Sequence, residues 1–121
     1  MSKKILVVED TEDNRQILRD LLGMAGYDII EAQDGAEGVA KAAEHKPDLV
    51  LMDIQMPVMD GFEATRRIKA DPLLKAIPVI AVTSYALSGD EDKAREAGCD
   101  GYIAKPYSPR ALLAKVRETL G

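Results

Sequence analysis

The chain has 121 residues with 16 basic and 21 acidic side chains, a net charge of −5, one cysteine, no tryptophan and 4% aromatic residues. This length makes a single domain with an aliphatic core of Val, Ile, Leu, Ala and Met, large enough to stand without staples. The acidic balance excludes a nucleic-acid or anionic-membrane partner, which would need Lys/Arg patches, and a lone Cys99 excludes an intrachain disulfide and suits a reducing cytoplasm.

Ile5-Leu6-Val7-Val8 is a continuous apolar run, as expected of a strand covered on both faces. It breaks at Glu9-Asp10, too soon for a signal peptide or a membrane span, so a soluble cytoplasmic protein is expected. From Asp13 to Ala25 the apolar residues follow helical spacing, and Gly26 is the expected stop. A weak second strand spans Asp28 to Ala32. A helix of small residues follows from Ala36 to Glu44, punctuated by Pro47, and the third strand runs from Asp48 to Asp53. Pro57 and Asp60-Gly61 mark a tight loop before a helix from Phe62 to Ala70, which Asp71-Pro72 ends. Pro78 opens a fourth strand, Val79-Ile80-Ala81-Val82. Ser88 to Ala97 reads as a helix with Ser88 as N-cap and Gly98 as stop, Gly101 to Ala104 as the fifth strand, and Pro109 to Leu120 as the last helix.

Strands alternating with helices in this way predict an α/β fold: a five-stranded parallel sheet with helices on both faces. Right-handed crossovers leave few topologies, and the flavodoxin-like order 2-1-3-4-5 is expected. In open sheets of this kind the functional crevice lies outside the carboxyl ends of the strands. Four runs end there on polar residues: Glu9-Asp10, Asp53, Thr83-Ser84 and Lys105-Pro106.

Three carboxylates gathered at one edge (Glu9, Asp10, Asp53) are costly unless a cation binds among them. With no His or Cys positioned to help, oxygen donors suit Mg²⁺, with Mn²⁺ as a substitute. Lys105 can carry its ammonium to a phosphate bound at Asp53, and Thr83 can donate a hydroxyl hydrogen bond to it. A carboxylate can act as a nucleophile in phosphoryl transfer and form an acyl phosphate, with metal and lysine stabilising charge on the transferred oxygens. Such a bond is labile and suits transient storage of a signal.

On these residues the chain resembles the receiver domains of two-component response regulators over essentially its full length, 1–121. The matching elements, in order, are Glu9-Asp10, Asp53, Met56-Pro57-Val58-Met59-Asp60-Gly61, Thr83-Ser84 and Lys105-Pro106. The resemblance implies that Asp53 is the phosphoacceptor, Asp10 a direct Mg²⁺ ligand, Glu9 a second acid acting through water, and Gln55 a ligand through its backbone carbonyl. It further implies that Thr83 and Lys105 are the switch hydroxyl and the phosphate-binding lysine. Tyr102 is the implied switch aromatic, turning inward when the hydroxyl moves toward the phosphate. Glu9 departs from the Asp-Asp pair of many members without endangering metal binding. Within the family, Asn14, the stretch Met52 to Pro57, Ser88-Gly89-Asp90 and Gly98-Cys99 are similar to DivK-type single-domain regulators and hybrid-kinase receivers.

The implied partners are a histidine kinase or histidine phosphotransfer protein, docking at Asn14, Ile17, Pro106 and Tyr107, and a downstream protein target. The target would use the fourth helix, fifth strand and fifth helix of a monomer or weak dimer. The expected protein is a stand-alone module that is not an enzyme in its own right, the alternative being a receiver excised from a longer response regulator or hybrid kinase. An aspartyl phosphatase of the haloacid-dehalogenase kind needs a second Asp two residues after the nucleophile, where Gln55 stands. Flavodoxin-like binding of FMN needs a glycine- and hydroxyl-rich loop where Glu9-Asp10-Thr11-Glu12 would repel phosphate. A pseudo-receiver that never accepts phosphate would not need the intact constellation. His45 is expected to be an exposed capping residue and Cys99 to pack as a small apolar side chain.

Overall fold

Five strands and five helices alternate along the chain in the computed structural model, which describes residues 3–54, 59–83, 90–105 and 107–120. They are β1 (Lys4–Val8), α1 (Glu12–Met24), β2 (Asp28–Ala32), α2 (Gly35–His45), β3 (Leu49–Asp53), α3 (Gly61–Ala70), β4 (Val79–Thr83), α4 (Asp90–Ala97), β5 (Gly101–Ala104) and α5 (Pro109–Leu120). The strands form one parallel sheet in the expected order, β2-β1-β3-β4-β5.

Side chains alternate between faces of a strand, and the core divides accordingly. Leu6, Val8, Val50, Met52 and Val79 pack with Ala42 of α2 and with Ala64 and Ile68 of α3. Ile5, Val7, Leu49, Leu51 and Ile80 pack with Leu18 and Leu22 of α1 and with Leu112 and Val116 of α5. Both faces of the central strands are covered, which is why their sequences are unbroken apolar runs and not alternating ones.

The register brings Val8 opposite Met52, Asp53 opposite Val82, and Thr83 opposite Ala104. The carboxyl ends of β1, β3, β4 and β5 therefore line up on one edge.

Helix ends refine the sequence reading. The Asp34 and Asp60 carboxylates accept hydrogen bonds from the backbone N–H of Glu37 (2.8 Å) and Glu63 (2.9 Å). As N-caps they start α2 and α3 one residue earlier than expected, so Gly61 belongs to a helix and not to the loop. Gly26 and Gly98 follow α1 and α4 with φ of 95° and 106°, the conformation expected of stops. His45 is the last residue of α2 and not its cap, since Lys46 adopts the left-handed conformation (φ 46°) and donates its N–H to the Ala42 carbonyl. The expected N-cap Ser88 lies outside the described residues. Among the described residues, no helix is long and apolar enough to cross a membrane.

Candidate functional site

From β1 the chain crosses outward to β2, then returns past β1 to β3. A crevice opens at such a reversal, between the ends of β1 and β3. Glu9 and Asp10 leave the end of β1, and Asp53 ends β3. One carboxylate oxygen from each of the three lies within 4.8 Å of the others. Glu9 and Asp53 are 3% and 4% exposed, and Asp10 is exposed at the mouth.

Lys105 reaches this group from just past the end of β5. Its Nζ lies 3.4 Å from Glu9 Oε2 and 3.8 Å from Asp53 Oδ1. Among the described residues, one ammonium faces three carboxylates, which leaves excess negative charge in a partly dry site. The donor set is hard oxygen, without sulfur or imidazole, and it fits a divalent cation such as Mg²⁺.

Backbone bonds explain how each group is placed. The Glu9 N–H donates to the Ala32 carbonyl (3.0 Å), extending the β1–β2 ladder by one residue. The Glu9 carboxylate accepts from the Thr11 N–H and from Asn14 Nδ2, both at 3.2 Å. After Asp53, the Ile54 N–H donates to the Val82 carbonyl (3.0 Å) and the Gly61 N–H to the Ile54 carbonyl (3.2 Å). A Cβ on Gly61 would stand 2.4 Å from the Asp53 carbonyl oxygen, so this approach of α3 to the end of β3 requires glycine. Thr83 is fully buried at the end of β4, and its carbonyl accepts the Lys105 N–H (2.6 Å).

Burial pushes the Glu9 carboxyl up, but the hydrogen bonds shared with Asp53 and received from Asn14, the Lys105 charge and the Thr11 amide together hold it below the usual carboxylate range. Burial pushes the Tyr107 phenol up, and the nearby Glu9 and Asp53 charges push it further.

A cleft of about 310 Å³ adjoins the carboxylates, with Glu9, Asp53 and Lys105 at its polar end and Ile17, Leu21 and Tyr107 among its apolar walls. Asn14, expected from the sequence at a docking surface, lines the same cleft and donates to Glu9. Ile17 is 58% exposed at the rim. Tyr102 packs with Ile54, Ala81 and Ala94, and its hydroxyl oxygen is buried. Gln55 and Pro106 lie outside the described residues.

One residue at the site escaped the sequence reading. Arg15 is buried, and its guanidinium donates to the Glu9 carbonyl (2.8 Å). The signal was available: Arg15 shares its helix face with Leu18 and Leu22, so a cation occupies an apolar stripe.

Comparison with known proteins gives the same picture. Residues 5–117 match the family model of the response regulator receiver domain. The chain is 45% identical to the polar-differentiation response regulator DivK of Brucella anthropi, over all of this chain and 98% of that protein. Among solved structures, it resembles the receiver domain of the sensor histidine kinase PA1611 from Pseudomonas aeruginosa PAO1, which has a magnesium ion coordinated in its active site cleft. That match has a TM-score of 0.94 and 35% identity, and covers 100% of this chain and 99% of that one. The chemotaxis protein CheY4 of Vibrio cholerae matches with a TM-score of 0.94 and 31% identity, over 99% of this chain and 100% of that one.

Proposed function

The chain belongs to the response regulator receiver domain family, and from that premise we propose that residues 1–121 act as one module that holds a signal as an acyl phosphate on Asp53. The phosphoryl group comes from a histidine kinase or histidine phosphotransfer protein in the cytoplasm, and its arrival switches binding to a downstream protein. The observation that carries this reading is the position of Asp53: buried at the crevice, beside two other acids, with Lys105 Nζ at 3.8 Å.

In the transfer step an Asp53 carboxylate oxygen bonds to phosphorus as the P–N bond to the donor imidazole breaks, and the imidazole nitrogen keeps the electron pair. Lys105 exchanges its contacts with Glu9 and Asp53 for the phosphoryl oxygens. Asp10, Asp53 and the Gln55 carbonyl, with Glu9 behind a water, would hold Mg²⁺ or Mn²⁺, which when bound neutralises charge on those oxygens. Thr83 donates its hydroxyl to the phosphoryl group, and the packing around Tyr102 responds. The protein assists its own phosphorylation and dephosphorylation and turns over no separate substrate.

Intact mass after incubation with acetyl phosphate and Mg²⁺ tests this reading. We expect one added phosphoryl group, lost in Asp53→Asn and lost without Mg²⁺. No addition, even with a cognate kinase present, would replace the reading with that of a binding module that never accepts phosphate.

A further inference from the structure

Arg15 is 8% exposed, and each of its three guanidinium nitrogens meets a different acceptor. One terminal nitrogen donates to the Glu9 carbonyl at 2.8 Å, the other pairs with Glu12, and Nε lies 3.4 Å from Glu31 Oε1. Arg19 shares both acids, lying 2.8 Å from Glu31 Oε2 and 3.8 Å from Glu12 Oε1, but it makes no contact with Glu9.

A buried guanidinium is costly unless its donors are satisfied. A cation near the start of a helix also opposes the helix dipole. Apolar packing does not account for an arginine here; its acceptors do, and of these the Glu9 carbonyl is the one that Arg19 does not share. The carbonyl that Arg15 holds belongs to the peptide that joins Glu9 to Asp10. On the other side of Glu9, the N–H is fixed by the Ala32 carbonyl. The main chain that carries both acids is thus held by β2 from one side and by Arg15 from the other.

We infer that Arg15 is a positioning residue for the acid pair, fixing the Glu9–Asp10 peptide so that both carboxylates converge with Asp53 before any cation arrives. The inference rests on the receiver reading for what the acid pair binds. Groups that orient metal ligands from behind typically matter tenfold or more in affinity.

The test compares Arg15→Met, Arg15→Lys and Arg19→Met in the full chain with two readouts. The first is the affinity for Mg²⁺ alone by calorimetry. The second, without metal, is hydrogen exchange at the Glu9 and Thr11 amides, whose bonds depend on the same local backbone. Arg15→Met should weaken Mg²⁺ binding about tenfold and speed exchange at both amides, with Arg15→Lys intermediate. Arg19→Met breaks the same ion network without touching Glu9 and should change Mg²⁺ affinity by about twofold or less. A folded Arg15→Met with unchanged affinity and exchange, or an equal loss in Arg19→Met, overturns the inference. If Arg15→Met fails to fold, Arg15→Lys decides by the same two readouts. If the unsubstituted protein does not bind Mg²⁺, the receiver reading falls, while amide exchange still decides what Arg15 does.

Discussion

Burial sets what individual side chains can do here, and Cys99 shows it as clearly as the carboxylates. Its sulfur packs with Ile54, Ala81 and Ala94 and lies 3.7 Å from Thr65 Oγ1. Burial pushes the thiol up; the hydrogen bond with Thr65 and the charge of Lys69 oppose this, while Asp100 adds to it. Thiolate therefore stays scarce at pH values where a free cysteine has begun to ionise. The contribution to stability is complete below the unfolded thiol's pKa and is lost as pH rises through the folded value. At neutral pH a thiol reagent should label native Cys99 about tenfold more slowly than the denatured chain, and equal rates would contradict this. The expectation that Cys99 packs as a small apolar residue was legible because a lone thiol stood beside a predicted helix stop. Arg15 was half legible: a cation on the apolar stripe of α1 marks the position, but its acceptor is a backbone carbonyl six residues away, and carbonyls leave no mark in a sequence.

Elements carry the site through their ends. The sequence reading placed all five strands within one residue; in β1, β3 and β4 this is because aliphatic runs closed by charged or turn residues leave little freedom. The starts of α2 and α3 were less legible, since Asp34 and Asp60 could as well have been loop residues until their carboxylates were seen to cap Glu37 and Glu63. Gly61 joins element to site: its missing side chain lets α3 begin against the Asp53 carbonyl. Gly61→Ala must push that backbone apart and should cost about 1–3 kcal/mol in stability, with slower phosphorylation of Asp53 by acetyl phosphate. Lys46 offers a contrast at the other edge of the sheet. It holds a left-handed φ of 46° at the end of α2. Glycine there removes strain but adds freedom to the unfolded chain, for a net gain of about 0.5 kcal/mol, about 2 °C in Tm. Thermal melts alongside phosphorylation rates separate the two: Lys46→Gly should be more stable with its phosphorylation unchanged.

At the scale of the whole molecule, strand order converts distant sequence positions into one site. Glu9, Asp53 and Lys105 are far apart in the chain and meet only because β3 lies beside β1 and β5 follows β4. That convergence was legible from the run ends together with the handedness of crossovers. The cleft beside it was not, because its walls come from the end of β1, α1, β3, β4 and the segment leading into α5, and side-chain packing decides its volume. Under the proposed function, this cleft bears on which donors can load Asp53. A protein donor must bring a phosphohistidine to a carboxylate that is almost fully buried, so its surface must lie over the rim, where Ile17 is 58% exposed. Acetyl phosphate is small enough to enter without covering that rim. Ile17→Glu should therefore slow transfer from a histidine kinase about tenfold or more, as loss of an apolar interface anchor does, and leave loading by acetyl phosphate unchanged. The exposed position keeps the stability change within about 0.5 kcal/mol, which a melt would check. Equal loss with both donors would place the effect of Ile17 inside the site and remove α1 from the docking surface.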